Sequence, residues 1–376
     1  MLIKNLLDLP TPSHVIDLDK IESNLNILEH LCKKTNLMLL FALKGFSNPQ
    51  ILQHFILRFD GISASSLWEA RLAKELTALP VHTFSPSYCE KNFPSICAFS
   101  DCIIFNSISQ WERFKTTVIS NKLNCGIRIN PEYSEIEKYA INPCHPASRF
   151  GVHIEELEKI DFSNIKGIHF HTMCEQYSDT FRNTLNVIEN KFGTFLHQAE
   201  WLNIGGGQLF CDEEYNLHES IELLNQIQNK YNLKIIAEPC ETVVSEAGYF
   251  VTTVTDIVFN KIYTAILDAS AICHLPDIIQ SPYRCEVINA AQPNVKKYTY
   301  KLAGSTCYAG DIFGEYSFDT PLDVGSKIIF CDTAPYSMVK SNIFNGIPLP
   351  SYISIKKGHA FCLEKQYDYN TFLSLI

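Results

Sequence analysis

Apolar residues gather in about eight short runs through the first two-thirds of the chain, each closed by a polar or glycine-containing turn and most followed by a segment of helical period. The runs cover residues 39–43, 61–64, 81–84, 102–105, 126–129, 167–170, 202–204 and 235–237. Between them, Ile21, Leu25, Leu28 and Leu31, and again Leu217, Ile221, Leu224 and Ile227, recur every three or four residues, which puts each set on one helix face turned to a core. Eight strands alternating with helices are what a (β/α)8 barrel requires. Past Gly248 the pattern shifts to β-rich runs at 250–258, 298–302 and 327–330, punctuated by proline and glycine. The expected fold class is α/β plus β: a TIM-type barrel over residues 20–245, and a β-rich domain built from 1–19 and 246–376.

Composition narrows the function. At 376 residues, 46% hydrophobic and 19% charged, the chain is long and apolar enough for two buried cores. A net charge of -10 argues against a nucleic-acid or anionic-membrane surface and favours a cationic small molecule as partner. The 14 cysteines stand singly, with no C-x-x-C pair and no metal-ligand spacing, so reduced thiols and no metal site are expected. The stretch from Met1 to Asp8 is too short for a signal peptide, and no apolar run is long enough to span a bilayer; a cytoplasmic location is the expectation.

Reactive groups of such a barrel lie just past the carboxyl ends of its strands. Lys44, in Phe41-Ala42-Leu43-Lys44-Gly45, ends an apolar run where an ammonium is partly desolvated, as suits a Schiff-base lysine; standing alone, it would read more readily as a solvated strand cap. His169 and His171 alternate in the sixth run and share a face, open to ring stacking, metal binding or a place in the core. Gly205, Gly206 and Gly207 follow Leu202-Asn203-Ile204 and let backbone N–H groups converge on a phosphate without Cβ interference. Glu238, in Ala237-Glu238-Pro239-Cys240, ends the eighth run, where a carboxylate can keep a pyridine nitrogen protonated. Further on, Cys307 and Asp311 sit four residues apart in a glycine-bounded loop.

Together with Tyr336, these residues resemble, in order and spacing, the fold-type III pyridoxal-phosphate decarboxylases, the group of ornithine and diaminopimelate decarboxylases. More narrowly, the chain is similar to the carboxynorspermidine/carboxyspermidine decarboxylases through His169-Phe170-His171-Thr172-Met173-Cys174-Glu175, Leu275-Pro276-Asp277, Pro282-Tyr283-Arg284, Thr306-Cys307-Tyr308-Ala309-Gly310-Asp311 and Phe344-Asn345-Gly346-Ile347. The resemblance runs from about residue 12 to 350. It implies that Lys44 carries pyridoxal 5'-phosphate, that Arg128, His171, Glu238, Tyr336 and the three glycines hold it, and that Cys307 donates the proton that replaces the carboxylate. It implies too a homodimer in which Cys307 and Asp311 of one subunit complete the site of the other. Two departures stand out. Cys240 occupies a position where relatives usually have glycine, and its Cβ is expected to crowd the phosphate. Phe150, in Arg149-Phe150-Gly151, occupies a position where leucine is common and is expected only to repack the wall.

An anionic partner at the ring nitrogen favours decarboxylation over racemisation. The substrate expected is a carboxylated polyamine in polyamine biosynthesis, carboxynorspermidine or carboxyspermidine, whose ammonium groups would meet Asp311 and Asp277. Arg284 keeps the alternative open, since diaminopimelate would need a cation for its distal carboxylate. The remaining alternative is a non-catalytic regulator on the same fold.

Overall fold

The computed structural model describes residues 6–145 and 147–376; the start of the amino-terminal stretch read above lies outside them. Contact clustering divides the chain into two compact units. One comprises residues 1–22, 45–54 and 244–376; the other comprises 23–44 and 55–243.

The first strand, β1 (Ser13–Asp17), belongs to the former unit. The next eight are β2 (Met38–Ala42), β3 (Gly61–Ala64), β4 (Val81–Phe84), β5 (Cys102–Phe105), β6 (Asn124–Arg128), β7 (Gly167–His169), β8 (Trp201–Asn203) and β9 (Lys234–Ala237). They pair in parallel in that order, and β9 returns to β2, so the barrel is closed. Each predicted run is one of these strands, displaced by at most two residues at either end.

Local chemistry starts the intervening helices. Ser66 accepts the Glu69 N–H and Ser107 the Gln110 N–H, while Glu69 and Gln110 reach back to the Ser65 and Asn106 N–H groups. These reciprocal caps satisfy donors that a helix cannot satisfy itself. Ile21, Leu25, Leu28 and Leu31, all on the helix Leu18–Thr35, are at most 3% exposed, as their spacing requires.

The barrel floor is filled. Trp201 packs with Leu40, Cys102, Ile104 and Ile236, and its indole takes the space that side chains on neighbouring strands would need. A Cβ on Gly126 would fall 2.3 Å from that ring and one on Gly167 2.0 Å from it. Only glycine fits at either place.

The remaining strands are β10 (Gly248–Asn260), β11 (Ile262–Leu267), β12 (Tyr298–Ala303), β13 (Ile312–Phe318), β14 (Lys327–Cys331), β15 (Ser351–Ile355) and β16 (Cys362–Lys365). With β1 they form a mixed sheet in the order β13-β12-β11-β10-β1-β15-β16, and β14 also pairs with β10. The long β10 serves both halves: Gly248 to Val251 align with β1, and the stretch from Val254 to Asn260 aligns with β11. Phe250, Leu267, Leu302, Phe313 and Phe330 form the core beneath it.

Two histidines are buried in this sheet unit. His14 is 1% exposed, its ring 4.7 Å from that of Phe250, and burial draws its pKa down to about 3. His274, fully buried, accepts the Ser270 N–H at Nδ1 and meets the Pro348 carbonyl through Nε2, and burial draws it to about 4. Below the ordinary value of 6.5 the unfolded chain therefore binds protons that the folded chain refuses, and stability falls as pH drops from about 6.5 towards 4. His14→Phe should remove about 2 kcal/mol of that loss at pH 5. Urea titrations of both proteins at pH 7.5 and pH 5 read the difference; equal losses would show that His14 does not set it.

Candidate active site

The barrel gathers one group at the carboxyl end of strand after strand. Lys44 lies two residues past β2 and is half-buried. Arg128 is the last residue of β6, His169 the last of β7 and Asn203 the last of β8, while His171, Gly205 and Glu238 lie just beyond β7, β8 and β9.

A hydrogen-bonded circuit joins the last three strand ends. The Asn203 amide donates from Nδ2 to Glu238 Oε1 at 2.8 Å, and its Oδ1 accepts the Gly205 N–H at 2.9 Å. The Gly205 carbonyl accepts the Glu238 N–H at 2.8 Å. Gly206 donates its N–H to His171 Nδ1 at 3.3 Å. Two of the three glycine N–H groups are thus engaged within the chain, and what the turn provides above all is room. A Cβ on Gly206 would fall 2.5 Å from the Glu238 carbonyl oxygen; Gly207 has φ +95° and would meet the Met173 carbonyl at 2.2 Å.

Electrostatics keep the imidazoles at the mouth uncharged. Burial, reinforced by the Arg128 and Lys44 cations, holds His169 and His171 well below the ordinary histidine range, so both rings are uncharged at neutral pH. Arg128 itself is 5% exposed and drawn down to about 10 by burial, with Cys144 and Glu238 as partial compensation. Glu238 is 9% exposed; its Oε2 is 3.9 Å from His169 Nε2. A lysine, a buried carboxylate, an uncharged imidazole and a turn that only glycine can make together suit a phosphorylated aromatic aldehyde carried on Lys44. Among the described residues no cluster of three or more His, Cys, Asp or Glu is placed to hold a metal, and no helix is long and apolar enough to cross a membrane.

The sheet unit carries the other candidates. Cys307 is exposed, and its N–H donates to Asn345 Oδ1 at 2.9 Å. Asp311 departs from expectation. It is 2% exposed, its Oδ1 accepts from Ser270 Oγ and the Ala271 and Ile272 N–H groups, and its Oδ2 accepts from Thr306 Oγ1 and the Thr306 N–H. Five donors leave it no place for a substrate ammonium; the carboxylate braces the Cys307 loop against the helix Ala271–His274. Asp277 is already paired with Lys340 at 2.6 and 2.8 Å. Arg284 donates to the Ala291 carbonyl at 2.8 Å and lies 4.2 Å over the Tyr316 ring. Tyr336 adopts φ 58°, donates its N–H to the Gly45 carbonyl, and has the Lys340 ammonium 5.0 Å from its ring.

The Phe150 ring lies 4.6 Å from the Arg128 guanidinium, a contact that the sequence alone did not suggest. Cys240 is buried and leads into the short helix Glu241–Val244. Sequence reasoning passed over Asn203 and Asn345, although both stand inside the motifs it used; a polar side chain one or two residues before a glycine was the available signal.

A sequence profile of the family described as "Pyridoxal-dependent decarboxylase, C-terminal sheet domain" matches residues 117–334. The chain is 35% identical to a carboxynorspermidine/carboxyspermidine decarboxylase of Campylobacter jejuni, covering 96% of this chain and 97% of that one. It is 36% identical to a carboxyaminopropylagmatine decarboxylase of Synechocystis, covering 98% and 95%. The crystal structure of the carboxynorspermidine decarboxylase of Campylobacter jejuni complexed with norspermidine superposes with a TM-score of 0.91 at 33% identity, covering 98% of this chain and all of that one. The chain belongs to the pyridoxal-dependent decarboxylases, among the relatives that act on carboxylated polyamines. Pyridoxal 5'-phosphate is its cofactor, and it is a carboxy-lyase.

Gly206→Ala should weaken cofactor binding about tenfold or more, because the turn must move away from the Glu238 carbonyl. Titrating the apoprotein with pyridoxal phosphate and following absorbance measures this; an unchanged dissociation constant would mean that the turn does not face the cofactor.

Proposed function

We propose that this protein removes the carboxylate of carboxynorspermidine or carboxyspermidine, releasing carbon dioxide and norspermidine or spermidine. The observation that carries the reading is likeness over almost the whole chain to the Campylobacter jejuni enzyme, in sequence and in fold. Bound pyridoxal phosphate supplies an electron sink for the pair left behind when the carboxylate departs.

The residues take their roles around it. Lys44 would hold the cofactor carbonyl and yield it to the substrate's primary amine. Glu238 would keep a proton on the ring nitrogen, while Asn203 fixes its Oε1. His171, uncharged, offers a flat apolar face to the ring. Arg128 places a cation in the mouth, and Gly205, Gly206 and Gly207 make room for the phosphate. The Cys307 Sγ delivers a proton to the carbon that has lost carbon dioxide, and Asp311 holds its loop in position. Asp277 would meet a substrate ammonium by exchange with Lys340. The ties of Arg284 to the Ala291 carbonyl and the Tyr316 ring weigh against its capturing the distal carboxylate of diaminopimelate.

The Synechocystis relative supports a second reading, in which the tail carries a guanidinium. The carboxyaminopropyl head in its name is a group that carboxynorspermidine and carboxyspermidine also carry, so the same chemistry serves and only the tail site differs. Carbon dioxide release from carboxynorspermidine, carboxyspermidine, carboxyaminopropylagmatine and diaminopimelate, assayed in parallel, separates the readings; turnover of diaminopimelate alone would sink both.

Lys44→Ala should abolish the yellow colour of the purified protein and lower turnover by about a thousandfold or more. Cys307→Ala should keep the colour and lower turnover by about a hundredfold or release a wrong product. A colourless wild-type protein that turns over nothing would instead favour the regulator reading.

We infer further a cytoplasmic homodimer with shared sites, Cys307 of one subunit serving the barrel of its partner. Mixing Lys44→Ala and Cys307→Ala proteins should then restore up to about a quarter of wild-type activity, since half of the dimers are mixed and each has one intact site. No recovery after subunit exchange would show that each chain completes its own site.

A further inference from the structure

Arg128 is a buried cation held mainly by aromatic rings. Its guanidinium carbon lies 4.7 Å from the centre of the Phe84 ring and 4.6 Å from that of Phe150. Its hydrogen bond runs from Nη2 to the His171 carbonyl at 3.4 Å, and among the described residues it joins no ion pair. The contacts continue at both ends: Phe84 meets the His169 ring at 5.5 Å, and the Arg149 guanidinium lies 4.3 Å over Phe150.

The backbone presents Phe150 to Arg128. Just after it, the Val152 N–H donates to the Arg128 carbonyl at 2.9 Å, and Asn130 donates back to the Val152 carbonyl at 2.8 Å. Asn106 grips the segment from the other side, donating to the Arg149 carbonyl and accepting the Gly151 N–H, each at 2.8 Å. Gly151, at φ +81°, lies so near β6 that a Cβ there would fall 2.7 Å from the Ile129 carbonyl. The strand end that carries Arg128 and the loop that carries Phe150 are therefore zipped together, and the ring cannot drift from the cation.

A ring face attracts a desolvated guanidinium through its quadrupole, which shifts an equilibrium by about two- to thirtyfold. A leucine in its place would fill similar apolar space without that attraction, leaving the planar cation free to turn. We propose that Phe150 is a positioning residue that acts through Arg128: together with Phe84 it clamps the guanidinium beside His171 at the barrel mouth. This deepens the decarboxylase reading above and rests on it.

The test compares Phe150→Leu and Phe150→Tyr with the wild-type holoenzyme. With carboxynorspermidine, Phe150→Leu should lose about two- to thirtyfold in kcat with KM unchanged, and its apoprotein should bind pyridoxal phosphate more weakly by a factor in the same range. Phe150→Tyr, which keeps a ring face, should restore both, and all three proteins should melt at the same temperature. The inference is overturned if Phe150→Leu matches the wild type in both readings, if Phe150→Tyr is as impaired as Phe150→Leu, or if the losses track a fall in Tm. A wild-type protein that takes up no pyridoxal phosphate would overturn the decarboxylase reading, and this inference with it. Uptake without turnover of that substrate leaves the cofactor titration to decide the role of Phe150.

Discussion

The candidate site depends on a close approach of backbone to backbone where β8 ends. Gly206 lies against the Glu238 carbonyl at a distance that admits no side chain, and around that contact Asn203 ties Gly205 to the Glu238 carboxylate. Three strand ends are thereby set at fixed spacing. A glycine turn that lay further out would leave Asn203 Oδ1 without the Gly205 N–H it accepts and His171 without the N–H that orients its ring. The positions of carboxylate and imidazole are therefore consequences of one steric limit.

Charge is handled by exclusion more than by pairing. A guanidinium that stays protonated at neutral pH stands among two histidines that burial and their cationic neighbours keep neutral, and the nearby Glu238 offsets part of its field. Aromatic faces supply much of the rest. The sheet unit solves a different problem with a different device. There the buried Asp311 gathers backbone and hydroxyl donors from two segments and so converts a flexible loop into a fixed support for Cys307.

The barrel was legible because its strands are buried on both faces and read as short apolar runs, and because fixed turn chemistry closes each one. Lys44, Glu238 and the glycine turn were legible for the same reason: a strand end announces itself. The sheet was harder to read. β1 pairs with β10 and β15, over two hundred residues away, and so few residues carry little pattern of their own. The part played by Asp311 was hidden because three of its donors lie about forty residues upstream, and the spacing to Cys307 suggested a projecting acid in place of a buried brace. The pairing of Phe150 with Arg128 was not legible because a sequence shows an apolar residue but not the cation beneath its ring.

The indole of Trp201 fills the barrel floor where Gly126 and Gly167 make way for it. A single methyl added to either strand would have to displace the ring from the layer it shares with Leu40 and Ile104. Two glycines far apart in the sequence therefore answer to one side chain, and neither can change unless Trp201 changes with it.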